Sequence, residues 1–474
     1  MLPEDKPPIT RRKTVSLITR LKKELGADSV RTGAEIPPRN WADASGASPV
    51  CPMALILPRT TEEVSIALVL ASEHGQSIVP QGGMTGLVAG ATPGERELAI
   101  SLERMTGVEE IDTVSGTITA LAGTPLQVVQ EAAEEAGFML GIDLGARGSC
   151  TIGGIVATNA GGNQVLRYGM TRANVRGLEA VLADGRKVSS MNKMMKNNTG
   201  YDWTQLLIGS EGTLGIVTRA TLALHPRPAN VGSALVNVAG TAEALQVLRE
   251  LGRRVPGGLL VFEAMWREFY DIAVGTMGLD QPLPAQDAVF LLIEAAQGND
   301  SELTEALGSL LEKGLIIDAV IAQSEAERQS FWALRESVYE YDQHFPPVIG
   351  FDISIPLDRM IEAVEMLRAR VSHVFPDAPW VVFGHLADSN LHVNVMANPS
   401  QPGLRNRVEA VIYGVTSDCG GSISAEHGIG RMKAPYLGLT RSTSELDLMA
   451  EIKQLFDPND ILSPGRILGS VRGK

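Results

Sequence analysis

Apolar residues near the start of the chain recur at Val15, Ile18, Leu21 and Leu25 with basic residues between them, which predicts an amphipathic helix over Thr14–Leu25. From Ala54 the pattern becomes strand, helix, strand: ALILP, then a helix opening at Thr61 (TEEVSIALVLASEHG) with Glu63 in its first turn, then SIVPQGG. GTITALAG followed by TPLQVVQEAAEEAG repeats strand then helix, and LEAVLADGRKV carries the Asp184–Gly185 pair of a hairpin turn. The segment HPRPAN, with Pro226 and Pro228, interrupts this pattern and marks a domain boundary. Beyond it, helical stretches (TAEALQVLRELGRR, SELTEALGSLLEKG, DRMIEAVEMLRARV) alternate with the apolar strands LLVFEAM and AVFLLIEAA. That alternation predicts an α+β domain with helices on one face of a sheet. A last helix over Ser442–Leu455 precedes the closing DPNDILSPGR.

Composition narrows the class. The chain has 474 residues, long enough for two to four domains, and a net charge of −14, which argues against a nucleic-acid partner. Its three cysteines, Cys51, Cys150 and Cys419, are scattered without CxxC spacing, so neither a disulfide framework nor a zinc ribbon is expected. Apolar runs such as Ala288–Ala296 contain a charge (Glu294) and are far shorter than the roughly 20 residues of a membrane span. The opening MLPEDKPPIT does not resemble a secretory leader. A soluble, cytoplasmic protein in a reducing compartment is the expectation.

Glycine is the unusual residue, 49 in all, concentrated in three clusters: Pro80–Gly90 (PQGGMTGLVAG), Gly141–Gly162 (GIDLGARGSCTIGGIVATNAGG) and Gly209–Gly215 (GSEGTLG). Glycine permits positive φ and lets main-chain N–H groups approach a ligand closely, so the clusters read as a binding surface. None fits the GxGxxG frame of a nicotinamide-binding Rossmann unit, and no Walker A motif occurs.

In order and wording, PQGGMTG, DLGARGSCTIGGIVATNAGG and GSEGTLGIVT resemble the FAD-binding domain of the vanillyl-alcohol oxidase superfamily, specifically its FAD-linked D-2-hydroxyacid dehydrogenase branch. The resemblance runs from about Pro49 to Leu468. It implies an α+β fold with a PCMH-type FAD-binding domain of two subdomains and a substrate domain built on a helix-covered antiparallel sheet. The boundaries expected are a helical lead-in over 1–48, the FAD domain over 49–227, the substrate domain over 228–440, and a segment over 441–474 returning to the FAD domain. By this likeness Gly82, Gly83, Thr85 and Gly86 hold the pyrophosphate, Pro80, Gln81 and Met84 of the same loop also bind the cofactor, and Gly148, Ser149, Gly153, Asn159, Gly212 and Ile216 line the rest of it. Met84 stands where some members carry a flavin-linking histidine, so the FAD is expected to be non-covalent; Cys150 reads as a buried, inert thiol.

Two short motifs hold three of the seven histidines: GHLADSNLHVNV, with His385 and His392, and SAEHGIG, with Glu426 and His427. A two-residue turn at Asp388–Ser389 would put His385 opposite His392 on one face of a hairpin, with Asn394 on that face too. Two imidazoles so placed can share a divalent ion. The resemblance implies that His385, His392 and Glu426 ligate zinc or a similar cation, with open positions for substrate. A cation chelated by an α-hydroxyl and an α-carboxylate would acidify the hydroxyl, and His427 would act as general base.

FWALRESVYEYD places Arg335 on a helix start or loop with Tyr339 one turn later. The resemblance implies that Arg335 grips a substrate carboxylate and that Tyr339, Asn394 and His427 also face the substrate. Where hydroxyglutarate-specific relatives carry a lysine before an aromatic-Asp-x-S-x-P strand, this chain has Gly350 before FDISIP, and in ILSPGRIL Ser463 and Arg466 replace an asparagine and a lysine. Oxidation of a D-2-hydroxy acid follows, with D-2-hydroxyglutarate or D-malate favoured and D-lactate or another D-2-hydroxy acid as the alternative. A quinone or electron-transfer flavoprotein is the expected acceptor and a homodimer the expected assembly. Two other classes stay open at this point: a metallohydrolase, which leaves the glycine clusters unexplained, and a non-catalytic flavin subunit of a glycolate-oxidase-like complex.

Overall fold

A computed structural model describes residues 11–284, 288–299, 301–345, 347–397 and 401–469. The chain divides into two compact units, the first made of Met1–Gly162, Tyr168–Arg227 and Glu426–Lys474, the second of Asn163–Arg167 and Pro228–Ala425. The main division falls after Arg227, within HPRPAN, and the chain re-enters the first unit at Glu426, ahead of the expected 441.

The first unit holds two sheets. In the smaller, Ala54–Ile56 and Ile78–Gln81 both run parallel to Leu98–Ser101, and Val30–Arg31 adds an antiparallel edge. Parallel strands need a crossover, which the helix Thr61–Glu73 supplies. Its cap is Thr60, one residue earlier than expected, whose hydroxyl accepts from Glu63 N at 3.2 Å. Leu17 and Leu21 of the opening helix pack with Val64 and Leu68 of the crossover over the sheet residues Ile56, Ile78 and Ile100. The larger, antiparallel sheet centres on the long strand Ile216–Pro226, flanked by Thr117–Leu121 and Val175–Val181. Its Asp184–Gly185 hairpin forms as a longer loop than a two-residue turn: Leu182 N donates to Arg186 O, and Gly185 supplies the positive φ of 83°. The closing segment lies beside the smaller sheet, Ile78 N donating to Ile461 O and Ser463 N to Ile78 O. There Arg466, 3% exposed, is ion-paired with Glu97 at 2.8 Å.

The second unit is one antiparallel sheet in the order Asp318–Ile321, Asn230–Val238, Val289–Gln297, Leu259–Trp266, Trp380–Gly384, Asn390–Met396, Val348–Ser354. Helices cover both of its faces, not one. On the strand Leu259–Trp266, where every residue is buried, Met265 joins Phe331 and Leu334 of the helix Glu325–Glu336, while Trp266 points the other way and donates to Thr241 Oγ1 at the start of the helix Thr241–Arg254. The sequence of this strand shows the reason. LLVFEAMW has no polar alternation, so neither face could be left to water.

Candidate functional site

In the first unit the three glycine clusters interlock through main chain. A Cβ added at Gly83 would lie 2.7 Å from the Ser149 carbonyl carbon, and one at Gly82 2.6 Å from Thr151 Oγ1. Gly212, at φ 70°, turns the third cluster onto Pro80, whose Cγ would be 2.9 Å from an added Cβ. Met84 continues the first loop in the left-handed region, at φ 58°, before Thr85 and Gly86. Two hydroxyl oxygens here, Thr151 Oγ1 and Ser210 Oγ, are buried without a hydrogen-bond partner among the described residues. Buried polar groups are nearly always paired. Close-packed glycine main chain beside two unmatched hydroxyls therefore fits a ligand rich in acceptors and donors, as the pyrophosphate and ribitol of FAD are.

The other expected cofactor residues divide by role. The Gln81 amide is engaged within the protein, donating to Asn40 O and Ala91 O and accepting from Asn40 Nδ2. Gly148 lies at the end of the 145–149 turn, beside Gln127. Gly153 lets the helix Ile152–Thr158 sit directly on Ala122, whose Cβ would be 2.7 Å from an added Cβ. Asn159 ends that helix at φ 49° and accepts from Arg172 N at 2.9 Å. Ile216 is a core residue, 2% exposed. Gln81, Gly153 and Ile216 thus act through packing, and Gly153 N is itself taken by Ala122 O at 2.7 Å. Cys150 is buried, and burial pushes its thiol up to about 11, as suits an inert thiol.

The SAEHGIG segment reaches this unit at Glu426. Its carboxylate accepts from Gly162 N at 2.5 Å and lies against Gly161, where any side chain would collide with it. His427 follows, and the loop just beyond it is held by Glu211 of GSEGTLG, which accepts from Ile429 N and Gly430 N, each at 2.7 Å. Burial pushes the Glu211 carboxyl above its ordinary range, against the pull of those two N–H groups.

In the second unit the histidine hairpin has a different register from the one expected. Phe383, not His385, is the partner of His392, because Leu386–Asp388 forms a 3₁₀ turn and the connection is longer than two residues. Gly384 at φ 147° and Ser389 at φ 75° make that path possible. The offset is two residues, one full pleat repeat, so the same-face relation survives. The His385 and His392 rings lie 5.6 Å apart between centroids, and Asn394 follows two residues on with its amide over Gly350.

Arg335 occupies the C-terminal end of the helix Glu325–Glu336, not its start, since Ser324 caps the other end by accepting from Glu327 N. It is 6% exposed. Its guanidinium lies 4.6 Å from the Phe383 ring centre and its Nε donates to Glu263 Oε2 at 2.6 Å. The other oxygen of Glu263 takes His385 Nδ1. Burial alone would raise the Glu263 carboxyl, but His385 and Arg335 beside it more than reverse this and hold it well below the usual carboxylate range. Tyr339 lies on the following 3₁₀ turn, 68% exposed.

Sequence reasoning missed two buried carboxylates here. Glu263 interrupts an otherwise apolar strand, and that interruption was the available signal. Asp352, fully buried, pairs across the sheet with His392 and accepts from Asn390 Nδ2, Ser424 Oγ and Ala425 N. In chemical terms the unit offers imidazoles with a fixed carboxylate behind one of them, and a buried arginine.

Known proteins bear on both units. Residues 52–190 match the model of an FAD binding domain, and residues 227–467 that of the C-terminal domain of FAD linked oxidases. The chain is 41% identical over 419 residues to D-2-hydroxyglutarate dehydrogenase, mitochondrial, of Bos taurus, covering 87% of this chain and 76% of that one. It is 37% identical over 429 residues to D-2-hydroxyglutarate dehydrogenase of Xanthomonas citri pv. viticola, covering 88% and 89%. In fold it is similar to p-cresol methylhydroxylase (TM-score 0.77, 15% identity, 98% of each chain). This chain and that structure share the PCMH-type FAD-binding fold.

Proposed function

Because the chain belongs to the FAD-linked D-2-hydroxyacid dehydrogenase family and is an FAD-dependent oxidoreductase of that kind, we propose that its substrate is D-2-hydroxyglutarate or D-malate and that a divalent cation assists the oxidation. The observation that carries this reading is the buried grouping of Arg335, His385 and His392 around Phe383. A cation for an anionic substrate and two imidazoles for a metal are thereby held in one place. Zinc or a similar ion would be held by His385 and His392, with Glu426 as the third ligand implied by the family resemblance, and would supply Lewis acidity toward an α-hydroxyl.

FAD, when bound, supplies the hydride acceptor. The chain's own residues do the rest. Arg335 Nε is committed to Glu263, so its two Nη groups are what it can offer a carboxylate. Burial at 6% exposure strengthens that contact relative to water. The substrate gives up a hydride from Cα and a proton from its hydroxyl, and His427 takes the proton at a ring nitrogen. Glu211 keeps the loop after His427 in place. Electrons then leave to a quinone or an electron-transfer flavoprotein.

One observation favours a second substrate reading. Gly350 brings no cation to the strand Val348–Ser354, and the Asn394 amide fills the space above it. A pocket with fewer positive charges suits D-malate, D-lactate or another short D-2-hydroxy acid as well as the five-carbon diacid. Anaerobic flavin reduction over a panel of D- and L-2-hydroxy acids, with and without chelator, separates these readings. Reduction by L-isomers alone would overturn the assignment, and rates unmoved in a verifiably metal-stripped protein would remove the cation from it.

A further inference from the structure

We infer that Glu263 is a positioning residue that sets the tautomer of His385 and the orientation of Arg335 with one carboxylate, coupling the metal ligand to the substrate anchor; this rests on the functional reading above. Glu263 lies on the central strand Leu259–Trp266, 1% exposed, and the ladder pair Ala264–Gly384 carries on to set it opposite His385. A side chain this buried would be costly unless both oxygens were engaged. Both are: Oε2 accepts from Arg335 Nε at 2.6 Å and Oε1 pairs with His385 Nδ1.

Two consequences follow from the donor inventory. A carboxylate can only accept, so His385 must carry its proton on Nδ1, which leaves the Nε2 lone pair as the ligating atom. Arg335 cannot use the side of its fork that includes Nε, so it meets a substrate carboxylate end-on through its two Nη groups. Phe383 backs both arrangements, with the guanidinium 4.6 Å from its ring centre and the His392 ring at 5.0 Å. His385 is thus fixed by Glu263 while His392 is braced by Phe383 and by its cross-strand partner Asp352. The two imidazoles are positioned by different means: His385 shares the Glu263 carboxylate with the arginine, and His392 shares the Phe383 ring with it.

Glu263→Gln tests this. An amide can accept from one neighbour, but its NH₂ faces the other. If that neighbour is His385, the ring must turn its lone pair to Nδ1 and protonate Nε2. Zinc affinity of the metal-stripped, FAD-loaded protein, measured by equilibrium dialysis, is expected to fall by about 10- to 100-fold, with KM for the reducing hydroxy acid raised and the flavin spectrum unchanged. Equal zinc affinity in the two proteins overturns the role of Glu263 alone. A wild type that binds no zinc overturns the metal reading and, with it, the His385 half of this inference. Histidine ¹⁵N chemical shifts of the wild type supply the second test, free of any folding defect in the variant. The His385 signal is expected in the Nδ1–H form, and an Nε2–H form overturns the inference.

Discussion

Gly83→Ala isolates the contact that brings the first two glycine clusters together. The added methyl would stand 2.7 Å from the Ser149 carbonyl carbon and 2.9 Å from Cys150 Cα, and closer still to the Ser149 oxygen. Ordinary carbon–carbon contact begins at about 3.5 Å, so the two segments must part by roughly 1 Å or more. The opposing atoms are main chain, and no rotamer change can relieve the overlap. Overpacking of this kind typically costs about 1–3 kcal/mol. The first and second glycine clusters are the parts forced apart, so much of that cost should appear in cofactor binding. At about 1.4 kcal/mol per tenfold, the FAD dissociation constant should rise roughly 5- to 150-fold. The assay is fluorescence titration of deflavinated protein with FAD, alongside a melting curve. An unchanged dissociation constant together with an unchanged melting temperature would refute the interlocked cradle. A lowered melting temperature with intact FAD affinity would keep the packing but remove the cofactor from it.

Three further outcomes are expected. Arg335→Met leaves Glu263 buried with one of its two partners gone, and should lower stability by about 3 kcal/mol, read as a shifted denaturation midpoint; an unmoved midpoint would contradict the pairing. Cys150, raised to about 11 by burial, has roughly one thiolate in a thousand at pH 8, so it should resist maleimide in the native protein and the flavin should be released by acid precipitation; flavin retained on the precipitate would contradict non-covalent binding. Glu97 is the pH case. Burial would raise its carboxyl, but Arg466 and Arg431 pull it below the ordinary value, and Arg466, although its own pKa is lowered by burial, stays charged at acid pH. A depressed folded pKa contributes stability above the unfolded value near about 4.3 and loses it as pH falls toward the folded one. Glu97→Gln should flatten that part of the acid limb in melting curves, and an identical pH profile would count against it.

Local signals carried much of the architecture. Apolar periodicity marked the helix Thr61–Glu73, although its cap is Thr60 and not Thr61, and the Asp184–Gly185 pair marked a hairpin. Glycine density singled out the three clusters, but the need for glycine at Gly82, Gly83 and Gly212 comes from residues far along the chain, Thr151, Ser149 and Pro80. Other features depend on distant partners. The charge at Glu263 acquires meaning only when Arg335, 72 residues on, reaches it. The histidine register depended on whether Leu386–Asp388 would coil into a 3₁₀ turn, which a two-residue turn rule cannot foresee. Arg335 moved from the expected start of a helix to its end because the Ser324 cap lies eleven positions upstream of it. The expectation of one covered face failed for a related reason: LLVFEAMW is apolar on both faces apart from Glu263, so each face needs a covering layer, and helices supply both.

The central claim is that this protein draws hydride from a D-2-hydroxy acid into bound FAD. The direct test is the visible flavin spectrum of the purified holoprotein, followed anaerobically as D-2-hydroxyglutarate, D-malate or D-lactate is added and compared with each L-isomer. Loss of the oxidised flavin band is expected with at least one D-isomer, and retention of that band with the corresponding L-isomer. A spectrum that stays oxidised with every D-isomer, in protein whose FAD is reducible by dithionite, would contradict it.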